Sequence, residues 1–437
     1  MKKFQTIVLI VSGALLVIGV ILFATLKSGS SQTPRVAIWG SIPQVGFSLI
    51  QEAANLGNKN KDVIVTYKYV AEDKMEDQLI DALAEGKAPD LVIATQALIV
   101  KQTSKFKSVP FVSYSEKNFK SNFIDEGWIM MGKNGVMGFP LYVDPLVMYW
   151  NKRILSNAGI INPPTTWTDF QNKIVPLLTK RTSNRADLTE SAAALGTWDN
   201  ITNARMILST LLFQSGTSII KNTQQGLENV LSENPYNSPL KPALSALVFY
   251  TDYANPLRAN YSWNNAKGSD LSEFLAENNA IYFGRASEYP KIKEKNPNLA
   301  FDIAPVPQNA QSPLKVVNAP LYALGITRSA KSLPAAVSVV SALLGSEAQK
   351  LITSLYYYAP ASRSLVSKPP TDNSALSTIY SQAIIGRDWL DPDYKLTTEA
   401  MREAVKDINS GRSTATDALQ RLSNSLTNII SSYAKSF

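Results

Sequence analysis

Apolar and polar positions along this chain predict strands and helices that take turns. Residues 34–39 (PRVAIW) and Val63 to Tyr69 (VIVTYKY) alternate toward a period of two, as half-buried strands do, and Phe47 to Asn55 between them reads as a helix. Lys74 to Glu85 carries apolar residues at Met75, Leu79 and Leu83, the spacing of one helix face, and Gly86 ends it. Pro89 to Ala94 (PDLVIA) has the length of a buried strand. This strand-helix-strand rhythm predicts an α/β fold with a parallel sheet covered by helices.

The stretch Gly138 to Phe170 continues the pattern. Leu146 to Trp150 is an apolar and aromatic run bounded by Pro145 and Asn151-Lys152, which predicts a buried strand. Tyr142 and Asp144 stand at alternate positions before it and so share a face. An aromatic and a carboxylate projecting together can grip a polar ligand, although a plain core strand shows the same pattern. Lys152 to Ala158 reads as a short helix stopped by Gly159, Pro163-Pro164 forces an extended loop, and Thr166 or Thr168 can cap a helix beginning near Asp169. From Asn172 to Leu257 helical patterns dominate, among them Ala204 to Phe213 and Leu240 to Tyr253, and predict a largely helical middle. Strands follow at Asn279 to Gly284 and Phe301 to Pro307, after a helix at Leu271 to Glu277. Further helices are expected at Leu333 to Leu344, Glu347 to Leu355, Thr398 to Ile408 and Ala418 to Tyr433. No internal repeat is visible.

A length of 437 residues calls for two or three compact units. The formal charge of +8 is spread along the chain without a basic tail or an arginine-rich helix, so nucleic acid is not an expected partner. Cysteine and histidine are both absent. That excludes disulfides, zinc sites built on cysteine, Ser-His-Asp triads and HExxH helices, and no cofactor or metal is expected. Phe4 to Leu26 carries no charge, and 23 helical residues rise roughly 34 Å, enough to cross a bilayer core. Lys2 and Lys3 place its start on the cytoplasmic side. The exit Ala24-Thr25-Leu26-Lys27 is a poor signal-cleavage site, so residues 1–33 are expected to be a single-pass anchor at the cell membrane followed by the tether SGSSQT.

Three blocks carry a resemblance. The first is Gly138, Pro140 and Asp144, then Tyr149-Trp150-Asn151-Lys152, Ala158-Gly159-Ile160, Pro163-Pro164-Thr165-Thr166-Trp167 and Asp169-Phe170. The second is Phe274 to Pro307, and the third is Gly345-Ser346-Glu347-Ala348-Gln349 followed by Ala359-Pro360-Ala361-Ser362-Arg363. Their order resembles the extracellular solute-binding proteins of ABC sugar importers, of the maltodextrin and multiple-sugar type. Trp150 departs from a more usual Tyr, and Asn278-Asn279 replaces a Gly-Lys turn, where asparagine tolerates positive φ.

The resemblance implies a two-lobed periplasmic-binding-protein-like fold with a hinge and an inter-lobe cleft. It places residues 34–142 and 282–330 in lobe one and 143–281 and 331–437 in lobe two. It also implies a small-molecule carbohydrate as ligand, an ABC permease as partner and a monomeric ectodomain outside the membrane. Sugars offer hydroxyls in plane and C–H faces above and below, which suit aromatic rings with polar partners. Candidate ligand contacts are therefore Trp39, Tyr142, Trp198, Trp263 and Tyr322, with Gln96, Asp144, Asn264, Gly284, Arg285, Glu288 and Arg363. Core packing is the competing role for each ring, and an ion pair is the competing role for Arg285 and Glu288. Asp391 and Asp393 imitate a glycosidase pair but are expected as solvated turn residues, so no enzyme activity is expected. The alternatives are a binder of peptides or polyols and a two-lobed surface interaction protein.

Overall fold

The structure is a computed structural model that describes residues 33–56, 62–182, 187–223, 226–235, 237, 239, 241–312 and 314–433. The expected membrane span and all but the last residue of its tether lie outside the described residues. Among the described residues no single helix is long and apolar enough to cross a membrane.

Two sheets organise the chain. Strands β1 (Arg35–Gly40), β2 (Ile64–Tyr69) and β3 (Leu91–Thr95) are parallel, and β4 (Phe139–Val143) follows them. The second sheet takes β5 (Leu146–Asn151), β6 (Lys180–Arg181), β7 (Leu188–Ala193), β8 (Asn279–Arg285) and β9 (Phe301–Ala304). The chain then returns to the first sheet with β10 (Leu321–Ile326) and β11 (Ala359–Pro360). Spatial order is β11-β4-β10-β3-β1-β2 in the first sheet and β9-β5-β8-β7-β6 in the second. β10 runs antiparallel between β3 and β4, and β5 runs antiparallel to both β8 and β9.

The sheets do not divide where the lobe boundaries were expected. β8 and β9 are the antiparallel partners of β5, so residues 282–304 lie with the second sheet rather than the first. Helices Leu333–Leu343 and Ser346–Tyr356 bury Val339, Val340, Ala348 and Ile352 in the same apolar cluster as β1 and β3, so residues 331–384 lie with the first lobe. The chain therefore crosses three times: at Asp144-Pro145, along 305–320 and along 385–393. The last two crossings lie side by side, with Val317-Asn318 paired in parallel to Gly386-Arg387.

Both faces of the second sheet are buried, but in different company. Leu146, Met148, Ile281 and Phe283 pack with the second-lobe helices, whereas Tyr149, Tyr282, Phe301 and Ile303 join the first-lobe cluster. Helix Ser374–Ile384 packs against both β9 and β11 and spans that junction. The middle of the chain is less helical than its pattern predicts. β7 reads LTESAA, whose small residues hide a strand that is buried because β8 pairs with it. The turn before β8 also differs: Glu277, not Asn278 or Asn279, takes positive φ (61°), and its carboxylate binds Arg153 and Asn151.

The Asp-Pro-Asp segment is no solvated turn. Asp391 is 2% exposed and pairs with the Arg205 guanidinium, which also donates to Thr397 Oγ1 at 2.8 Å and Thr398 Oγ1 at 2.7 Å. Asp393 caps helix Tyr394–Asn409 by accepting from Leu396 N, so that helix starts four residues before the expected Thr398. Removing one member of a buried ion pair leaves the other charged and unpaired. Asp391→Ala is expected to cost about 3–5 kcal/mol in urea unfolding, while Asp199→Ala, at an exposed pair, changes stability by less than about 1 kcal/mol.

Candidate ligand-binding site between the lobes

Parallel α/β sheets place ligands at the carboxyl ends of their strands. The end of β2 leads through Val70-Ala71 into helix Glu72–Ala84, which puts Glu72 in the first turn at that rim. From the second lobe, the end of β8 carries Arg285. Its Nη1 donates to Tyr322 Oη at 3.1 Å and stands 4.0 Å from Glu72 Oε1, and the Tyr322 hydroxyl in turn donates to Glu72 Oε2 at 2.7 Å. A second-lobe cation thus meets a first-lobe carboxylate and phenol directly.

Tyr322 owes its position to register. It pairs with Tyr142 across β10 and β4, and the two rings stack at 4.8 Å. Tyr358 also stacks on Tyr142 at 4.2 Å and lies 6.0 Å from Tyr322, so the three rings form one cluster. Tyr142 is fully buried, and among the described residues its hydroxyl has no hydrogen-bond partner.

Asp144 sits on the first crossing, 1% exposed. Its Oδ1 accepts from Ser287 N at 3.0 Å and its Oδ2 from Ser287 Oγ at 2.6 Å. Burial pushes its carboxyl up to about 6, opposed by the Arg285 charge and by the two Ser287 bonds. Asp144 therefore ties the β4–β5 crossing to the residues that follow β8.

Of the expected contacts, Tyr142, Asp144, Arg285 and Tyr322 come together here, with Glu288 and Gly284 close behind. Glu288 accepts from Asn203 Nδ2 at 3.2 Å and from the Tyr282 hydroxyl. Gly284 serves packing: a Cβ would lie 2.4 Å from Tyr282 Cε1 and 2.9 Å from Tyr149 Cε2. The remaining candidates are engaged elsewhere. Trp263 is fully buried and donates to Asn200, and Trp198 packs in the second-lobe core, so neither ring has a free face. Asn264 bonds Tyr261 Oη and Ala266 N in a local turn. Gln96 donates to Asp388 and accepts from Leu321 N at 3.1 Å, which makes it a brace between crossing and sheet. Arg363 pairs with Asp125 at 2.7 Å beside Trp128. Trp39, half-buried, lies under Lys68 Nζ at 4.1 Å.

Glu72, Ser287 and Tyr358 escape the sequence reading. Glu72 precedes the helix expected from Lys74, and only its place after a parallel strand signals a rim position. Two exposed rings also belong to this account: Tyr69, 49% exposed at the end of β2, and Tyr394, 46% exposed beside the Arg205 guanidinium at 4.2 Å.

Two α/β lobes, three crossings and a polar junction built by both lobes define the class: a two-lobed solute-binding fold. The profile of the bacterial extracellular solute-binding proteins matches residues 52–378. The chain belongs to that family, which places its folded body outside the cytoplasm. Solved structures share the fold. A cyclo/maltodextrin-binding protein complexed with maltotetraose superposes with a TM-score of 0.73 at 15% identity, covering 92% of this chain and 98% of the other. The sugar-binding protein MalE from Xanthomonas citri gives 0.72 at 16% identity, with 91% and 98% covered. A Thermotoga lettingae solute-binding protein bound with α-D-tagatose gives 0.67 at 20% identity, with 91% and 100% covered. Binding proteins of Brucella abortus and Brucella suis are 25% identical over 116 residues, which is 26% of this chain and 28% of theirs. The chain thus spans about 28% of the length of the curated relatives it matches.

A carboxyl with a raised pKa in the folded state is more costly when charged. Its penalty is absent below the unfolded pKa of 3.8, grows as pH rises, and is complete above about 6. Wild type should therefore gain stability relative to Asp144→Asn as pH falls from about 6 to about 4, by up to about 3 kcal/mol in urea titrations. A pH-independent difference between the two proteins would show that Asp144 does not titrate in that window. Gly284→Ala should destabilise by about 1–3 kcal/mol in the same assay, since its methyl meets two tyrosine rings.

Proposed function

We propose that this protein is a membrane-tethered, extracytoplasmic binding subunit of an ABC importer that closes its two lobes on a sugar or oligosaccharide and presents the closed form to the permease. The observation that carries this reading is the Glu72–Tyr322–Arg285 contact. It joins residues of the two lobes at the carboxyl ends of the strands, where closure and ligand binding are coupled. A carboxylate, a guanidinium and phenols supply clustered donors and acceptors of the kind that sugar hydroxyls need. The exposed rings of Tyr69 and Tyr394 supply apolar faces for the C–H surfaces of a pyranose. Solved relatives of the same fold carry maltotetraose, tagatose, maltotriose and mannotriose. Closure follows from differential affinity: the ligand favours the closed state only by the contacts it makes to both lobes at once.

Residues Phe4 to Leu26 provide the membrane anchor in this reading, and the protein works as a monomeric ectodomain. Isothermal titration of the purified full chain with maltose, maltotetraose, mannotriose and tagatose should show saturable binding to at least one of them. Arg285→Met should then weaken that binding by about tenfold or more, because a charge-assisted hydrogen bond is lost in a closed site. Absence of binding across mono- and oligosaccharides would overturn the sugar assignment.

A further inference from the structure

The strands of the first lobe run from one pole of the sheet to the cleft, and the pole at their amino ends is basic. Segments 105–107 and 326–328 lie antiparallel there. Arg328 N donates to Lys105 O at 2.9 Å and Lys107 N to Ile326 O at 2.7 Å. This pairing gathers Lys105, Lys107 and Arg328, and Lys331 joins them because its amide donates to Asp90 Oδ1 at 2.9 Å. Asp90, buried at the start of β3, also accepts from Ala37 N at 2.8 Å, which brings the first residue of β1, Arg35, to the same pole. Arg35, Lys105, Arg328 and Lys331 are exposed and Lys107 is half-buried.

None of these five cations has a carboxylate partner among the described residues. Lys107 Nζ and Arg328 Nε bond only backbone oxygens, of Ala330 and Ser104. Exposed acids toward this end include Glu52, Asp62, Asp81 and Glu85, and Glu85 pairs with Lys87. Apolar surface lies among the cations, with Ile64 41% and Leu333 37% exposed.

The chain enters β1 at this pole. If Phe4 to Leu26 spans the bilayer, the seven residues 27–33 reach at most about 25 Å. The basic pole is then held within reach of the lipid headgroups, whose field acts over about one Debye length of 8–10 Å.

We propose that the pole formed by Arg35, Lys105, Lys107, Arg328 and Lys331 docks on the anionic phospholipid surface of the membrane that holds the anchor. Docking holds the first lobe pole-down while it awaits ligand, with the carboxyl ends of its strands, and hence the cleft, facing the solute outside; presentation to the permease then requires the pole to leave the headgroups. The inference rests on the anchored reading above. Each basic residue near an anionic surface strengthens attachment by about fivefold, so a cluster with a short tether favours one orientation over free tumbling.

The protein has no cysteine, which makes single labelling sites clean. The full chain carrying Ser329→Cys at the basic pole, or Ser410→Cys in the second lobe, is labelled with a donor dye. It is reconstituted in vesicles whose headgroups carry an acceptor. Flotation with neutral phosphatidylcholine vesicles, retained at alkaline pH, tests the anchor by itself. Its failure would overturn the anchored reading whatever the dyes report. With the anchor in place, energy transfer from residue 329 should rise by about twofold when about 30% phosphatidylglycerol replaces phosphatidylcholine. Transfer from residue 410 should not rise, and about 0.5 M salt should abolish the gain. Arg35, Lys105 and Lys331 make no side-chain hydrogen bond among the described residues, so Arg35→Glu/Lys105→Glu/Lys331→Glu should fold normally and lose the gain. The glutamine triple variant should lie between the two. Equal transfer in neutral and anionic vesicles would overturn the proposal, as would a gain that survives the charge reversal. A gain seen only with an added soluble polyanion, such as a nucleic acid, would assign the pole to that partner instead.

Discussion

One chain builds two sheets and must pass between them three times, and at each passage its polar groups leave water. Every such group needs a partner inside the protein, because an unpaired buried donor or acceptor costs about 1–3 kcal/mol. At the first crossing Asp144 takes both the amide and the hydroxyl of Ser287. At the other two, Asp388 receives bonds from Gln96 and from Asn318 at 3.0 Å, and its own amide donates to Glu126 at 2.8 Å. These bonds constrain how the lobes can move against each other, since they join the crossings to one another and to short helices of the lobes beside them.

The same bonds explain why acids concentrate at the junction. Burial raises the carboxyls of Asp144, Glu126 and Asp388 above their usual range, and neighbouring cations only partly offset it. A core made of leucine would be more stable there but would have no directional bonds to define a hinge. Arg205 and Asp391 extend the principle to the start of helix Tyr394–Asn409, where Lys101 of the first lobe also reaches Asp393 at 2.9 Å. Helix Glu72–Ala84 takes part twice: Glu72 faces Arg285, and Glu76 holds Lys101 at 2.8 Å. Closure and helix anchorage thus share one element.

Much of the architecture was legible in local pattern. β1 to β3, β5 and β8 announce themselves through period-two or continuous apolar runs, and the helices at Ala204–Gln214 and Ser346–Tyr356 through three-to-four spacing. β7 was not legible, because alanine and serine carry no strand signal and its burial depends on pairing with β8. The lobe boundaries failed for a related reason. Whether residues 282–304 extend the first sheet or the second depends on their partner strand, and no residue of the segment states that choice.

At the site, Tyr142, Asp144, Arg285 and Tyr322 could be named from sequence, but Trp198 and Trp263 could not be told apart from them. All are polar-tipped or aromatic residues near element ends, and only packing decides which of them meet between the lobes. By itself the sequence determined an α/β chain without disulfides, Ser-His-Asp triads or zinc sites built on cysteine or histidine, because composition removes the side chains those need. The tertiary structure alone decided that Glu72, on a helix after β2, meets Arg285, at the end of β8. Residues more than two hundred positions apart are joined by strand pairing and crossing geometry, which local periodicity does not encode.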